Sequence, residues 1–181
     1  MNSSETKMVL ATLKVAYPSF YRDMDREELT AAVNLWQRIF AEDDYNLVSA
    51  AVLALISSRV EGYPPTPGAV KEKIYMLQEP NQLNEEEAWS LVSKALRNGY
   101  YGAEKEFKKL PPEVQAAVGR PEQLREWALM DVETVQSVVA SNFMRTFRTT
   151  EKRRKDMAML PQDVRNLIAP MAEKMSLPGK E

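Results

Sequence analysis

The sequence predicts an all-α fold: a compact four-helix N-terminal domain, then a second helical domain with a long basic helix and a C-terminal tail. Three observations carry that prediction. Apolar residues recur at helical spacing in almost every segment. Prolines and glycines fall between most of those segments and punctuate them. No internal repeat, coiled-coil heptad or β-hairpin pattern stands out among the 181 residues.

The first helix, Lys7 to Tyr17, places Val9, Leu10, Leu13, Ala16 and Tyr17 on one face, and Pro18 stops it. Asp25 is the N-cap of the second, whose apolar residues Leu29, Val33, Trp36 and Phe40 recur with a 3.6-residue period. Asp43 or Asp44 starts a third, running through Val60 and apolar nearly all round, which belongs at the centre of the first core. The stretch EGYPPTPGAVKEKI, residues 61–74, then interrupts and restarts the helical pattern. Gly62 suits the position just past a helix end, Pro64 and Pro65 hold an extended path, Thr66 caps, and Pro67 occupies the first helical position. A fourth helix follows from Pro67 to about Gln78, with Val70, Ile74 and Leu77 inward.

The polar break EPNQLN, residues 79–84, is the expected domain boundary: 1–79, then 84–160, then a helical or partly mobile tail over 161–181. Asn84 caps a helix that opens with Glu85, Glu86 and Glu87, favourably placed against the macrodipole, and buries Ala88, Leu91, Val92 and Ala95. NGYYGAEKEF reads as a glycine- and tyrosine-rich turn. Two short helices follow, one between Pro111-Pro112 and Gly119, the other burying Leu124, Trp127 and Ala128. Asp131 then opens a long helix with a stripe of Val132, Val135, Val138, Val139, Phe143 and Phe147, running to about Met159. Leu160-Pro161 interrupts it before a last helix over 161–174 that contains Pro170.

Composition excludes several kinds of chemistry. With no cysteine and no histidine, disulfides, zinc fingers, His-ligated metal enzymes and Ser-His-Asp or Cys-His nucleophiles are ruled out. The six glycines have no phosphate-loop spacing. The acidic pairs lie at helix starts or on polar faces, outside the apolar surroundings that would raise a carboxyl pKa. The expectation is a protein that is not an enzyme and uses no cofactor or metal. MNSSETKMVL carries no signal peptide, and LVSAAVLALI is about half the length of a bilayer span. A cytoplasmic protein, in a reducing compartment and without a membrane partner, is expected.

Charge is uneven. The net −2 divides into −3 over residues 1–83 and +1 over 84–181. MRTFRTTEKRRKDM gathers Arg145, Arg148, Lys152, Arg153, Arg154 and Lys155. Arg145, Arg148, Lys152 and Lys155 are spaced i, i+3, i+7, i+10 and share one helix face. That stripe suits DNA phosphates, an acidic protein surface, or simple solvation at a helix end. Beyond it, Met157, Met159, Leu160, Val164, Leu167, Ile168, Met171 and Met175 form a Met-rich apolar tail. It suits adaptable partner binding, or packing back on the second domain.

Three stretches carry a resemblance: VAYPSFY, AAVNLWQRIF with Trp36, and ALISSRVEGYPPTPGAVKEKI. In this order, over about residues 5–78, they resemble the phage replicative-helicase loader/inhibitor family of phages and prophages of Gram-positive bacteria. EAWSLVSKA, GYYGAEKEF and QLREWALMDVETVQSVVASNFMR look like the longer prophage proteins grouped with it. The resemblance implies a non-enzymatic DNA-replication adaptor in the bacterial host cytoplasm. It would bind the hexameric replicative helicase, inhibit it and help load it at the origin, with an origin-binding initiator as a further partner. The family's helicase contact lies in its C-terminal region. Carried over, that implicates Arg145, Arg148, Lys152, Arg153, Arg154, Lys155, Met157, Met159, Leu160, Leu167, Ile168 and Met171. The chain departs from the short family pattern in its length, since the region after residue 79 reads as foldable. The alternative is a DNA-binding replication-initiation or regulatory module that uses the basic helix.

Overall fold

The computed structural model describes residues 1–58 and 62–176, with side chains from 172 onward left out of the description. Among the described residues there is no strand, and the chain is all-α. It divides into two compact units: Met1–Pro80 together with Met157–Glu181, and Asn81–Asp156.

In the first unit, helix α1 (Ser3–Ala16) starts earlier than the apolar pattern suggested, because Asn2 and Glu5 form a capping box. Pro18 ends α1 and opens a single helical turn, α2 (Pro18–Tyr21). Helix α3 (Arg26–Ile39) begins on the expected Asp25 cap, which Glu28 completes into a second capping box. Helix α4 (Tyr45–Ser58) begins at Asp44, whose carboxylate accepts from the Asn46 and Leu47 N–H groups. The expected run of this helix to Val60 and the reading of Gly62 as its cap depend on residues 59–61, which lie outside the described residues. Thr66 caps α5 (Pro67–Gln78), and Pro67 stands at its first position. Helix α1 packs on α3 and α4, and α4 packs on α5. Val9, Leu13, Trp36, Phe40, Val52 and Val70 fill the core between them.

Two inward assignments in this unit are corrected. Ala16 and Leu77 face solvent. Each is the last apolar residue of its pattern, on a final turn with no neighbouring helix to cover it. Lys71 and Tyr75 are buried on α5 instead.

The second unit opens with α6 (Glu85–Leu96), whose Asn84 cap and Glu87 again form a capping box. The glycine- and tyrosine-rich stretch is not a turn but a helix, α7 (Gly99–Lys109), kinked at Gly102. Gly99 is there for packing: a Cβ at that position would stand 3.1 Å from the Leu124 carbonyl oxygen and 3.3 Å from the Ala128 Cβ. Leu124 and Ala128 belong to α9 (Pro121–Ala128), so the missing side chain lets α7 approach it closely. Between them lies α8 (Pro112–Val118), ended by Gly119 at φ 89°. On α9 only Leu124 is fully buried; Trp127 and Ala128 are half-buried.

Asp131 caps the long helical run as expected, but the run is not uniformly α-helical. It consists of α10 (Val132–Thr134), a π-helical segment (Val135–Val139) and α11 (Ala140–Met159). The wider i→i+5 turn shifts the helical phase. Val132 and Val138 consequently leave the expected stripe and are 71% and 56% exposed. Val139, Phe143 and Phe147 stay buried, and Phe143 sits among the rings of Trp89, Trp127 and Phe147 at centroid distances of 5.6, 6.5 and 6.0 Å. After a break at Leu160-Pro161, α12 (Gln162–Ser176) closes the described chain, with Pro170 within it.

Candidate partner-binding site

Residues 145, 148, 152 and 155 all lie on α11, so their spacing does set them along one face. Their environments differ. Arg148 is committed inside the second unit: its Nε and Nη2 donate to the two carboxylate oxygens of Glu85 at 2.5 and 2.7 Å. This fork-to-fork pair holds the Glu85 carboxyl below its ordinary value of 4.5, chiefly through the hydrogen bonds from Arg148. Arg154 donates to Glu151 one turn earlier at 2.9 Å, and Lys155 is half-buried. Arg145, Lys152 and Arg153 are exposed and form no ion pair among the described residues. Arg145 and Lys152, seven residues apart, stand about 10 Å apart along the helix axis.

The Glu85 pairing lay beyond sequence reasoning. Glu85 was accounted for by the macrodipole, and no local spacing links positions 63 residues apart.

The apolar tail belongs to the first unit. Two ion pairs fasten the first turn of α12 there. Arg38 Nε donates to Asp163 Oδ2 at 2.7 Å, and Arg165 pairs with Glu42. The Arg38 hydrogen bond lowers the Asp163 carboxyl below its ordinary range. Val164, Leu167, Ile168 and Met171 recur at i, i+3, i+4, i+7, which makes one face. Val164 is half-buried, but Leu167 and Met171 are 67% and 66% exposed and Ile168 38%. Met157 is exposed, whereas Met159 and Leu160 are half-buried. Met175 lies where side chains are not described.

An exposed apolar stripe held by a polar anchor at one end is a surface built to be covered. An exposed trio of unpaired cations attracts acidic groups or phosphates. Neither arrangement contains a nucleophile–base pair. Among the described residues no group of three or more His, Cys, Asp or Glu could hold a metal ion. Among them, too, no helix is long and apolar enough to cross a membrane.

Comparison with known proteins places the first unit. No curated protein and no solved structure matches the chain. One family model does match, that of the N-terminal domain of a phage helicase loader/inhibitor protein, over residues 1–71. The match spans α1 to the first turn of α5, including the VAYPSFY and YPPTP stretches. Over residues 1–71 this chain therefore belongs to the phage helicase loader/inhibitor family, through that family's N-terminal domain.

Proposed function

We propose that the protein is a non-enzymatic phage DNA-replication adaptor that acts in the host cytoplasm. It binds the hexameric replicative helicase, restrains its activity and helps deliver it to an origin-bound initiator. The observation that carries this reading is the match of residues 1–71 to the N-terminal domain of the loader/inhibitor family. The exposed face of Leu167, Ile168 and Met171 and the unpaired Arg145, Lys152 and Arg153 support a helicase contact in the C-terminal third. The direct test mixes the purified chain with the replicative helicase of its host or phage and measures complex mass and ATPase rate. A stable complex with a lowered ATPase rate is expected. No complex together with an unchanged rate overturns the reading. In the same assay, Leu167→Asp/Met171→Asp should weaken the complex while leaving the helical circular-dichroism signal unchanged.

A second reading, DNA contact through the basic helix, is favoured by the absence of ion-pair partners for Arg145, Lys152 and Arg153 among the described residues. Three phosphate contacts would weaken binding roughly 40-fold between 50 and 200 mM salt. No binding at the lower salt concentration excludes it.

A further inference from the structure

The family-matched unit carries a second surface that the helicase reading does not use. Between α1 and α3 lies a groove of about 200 Å³. Leu10, Tyr21, Leu29 and Val33 line it, with Ala11 and Ala32. Its charged lining residues are Lys7 and Lys14, both on α1 and both exposed. Neither lysine forms an ion pair among the described residues.

The polar chemistry of the groove is one-sided. Besides the two ammonium groups, its lining offers the Tyr21 hydroxyl, which makes no hydrogen bond among the described residues although Tyr21 is only 6% exposed. Burial raises the pKa of that phenol, so it stays protonated and can donate at neutral pH. No carboxylate lines the groove. An apolar floor edged by side chains that act as donors calls for an occupant with an apolar body and acceptor groups at its margins.

Spacing narrows the class. Lys7 and Lys14 are two helical turns apart, about 10 Å along α1. A helix laid alongside α1 with carboxylates at i and i+7 presents its acids at the same interval. Its apolar residues at i+3 and i+4 then fall between them, over the groove. The apolar surface continues beyond the groove: Met8, Ala11 and Val15 recur on the outer side of α1, and Met8 and Val15 are 47% and 82% exposed.

We infer that the α1–α3 groove is a docking site for an acidic amphipathic helix of a partner protein, with Lys7 and Lys14 pairing its carboxylates. No residue of α11 or α12 lines it, so helicase binding through those helices can stand or fall independently.

The test uses the full chain and three synthetic helical peptides with the same leucine stripe, flanked by glutamate, glutamine or lysine. The glutamate peptide should bind about tenfold more tightly than the glutamine peptide, and the lysine peptide more weakly still. In Lys7→Glu/Lys14→Glu the order should invert, and Ala11→Arg should abolish binding of all three. These positions are exposed, so the variants should keep the wild-type circular-dichroism spectrum. They should also keep wild-type helicase binding, which separates this site from the α11 and α12 contact. Equal affinity for the three peptides, or no binding by any, overturns the inference. So does an order that the double variant leaves unchanged. Self-association of the chain alone that Ala11→Arg abolishes would assign the groove to a second copy and overturn it as well.

Discussion

The two units each use one long-range ion pair between their own helices, and the two pairs differ in what they do. In the first, Lys71 Nζ of α5 donates to Asp43 Oδ2, just ahead of α4, at 2.6 Å, with side chains only 10% and 12% exposed. The ammonium also lies 5.5 Å from the centroid of the Phe40 ring. In the second, Arg148 and Glu85 meet with better bidentate geometry, but their side chains are 71% and 27% exposed. Solvent decides the difference. Water competes for and screens the exposed pair, so good geometry adds little. The buried pair has lost its water, so each partner depends on the other. Charge pairing is thus part of the core in the first unit, whereas the second is held by the aromatic cluster around Phe143.

Breaking each core at its largest buried ring sharpens that contrast most. Phe40→Ala and Phe143→Ala should each cost about 3–5 kcal/mol, read from denaturant melts. If the units unfold separately, each variant should move only one of two transitions.

Asp43→Ala or Lys71→Met alone should cost about 3 kcal/mol, because each strands a buried partner. The double variant should recover most of that loss. Glu85→Gln or Arg148→Gln should leave the melting midpoint within error. An equal loss for the exposed and buried pairs would remove the distinction between them.

The glycines of α7 allow a finer test within the second unit. Gly99→Ala pushes a methyl group against the Leu124 backbone and should cost about 1–3 kcal/mol. Gly102→Ala meets open space and should change stability by under about 1 kcal/mol. Asn84→Ala should cost about 1 kcal/mol by removing the α6 cap.

The smallest effect concerns pH. The Glu85 pKa is lowered in the folded state, so its contribution is complete above the ordinary value of 4.5 and is lost as pH falls through the folded value. Acid titration of stability should therefore be slightly shallower in Glu85→Gln than in the parent. A slope identical in both would show that the pair contributes no proton linkage.

Much of this architecture was legible in the sequence because its signals are local. Asp25, Thr66, Asn84 and Asp131 each cap the helix assigned to them, since a cap depends on a side chain and an N–H group three residues away. Pro18 and Pro67 mark a stop and a start for equally local reasons. The misreadings share a different cause. GYYG looked like a turn because glycine disfavours helix, but Gly99 serves the contact with α9. The valine stripe slipped because a π-helical turn over 135–139 changes the period that any fixed spacing assumes. At the candidate site, the spacing of Arg145, Arg148, Lys152 and Lys155 was readable, but which of them is already paired was not. That depended on Glu85, from another helix.

By itself, then, the sequence determined the helical class, most helix starts, the absence of histidine and cysteine chemistry, and the family pattern of the first 71 residues. These follow from composition and from interactions within about one helical turn. Only the tertiary structure decided which cations remain unpaired, that Leu167 and Met171 stand exposed, and that Lys7, Lys14 and Tyr21 border one groove. Burial and pairing depend on which helices become neighbours, and that choice is made by packing across dozens of residues.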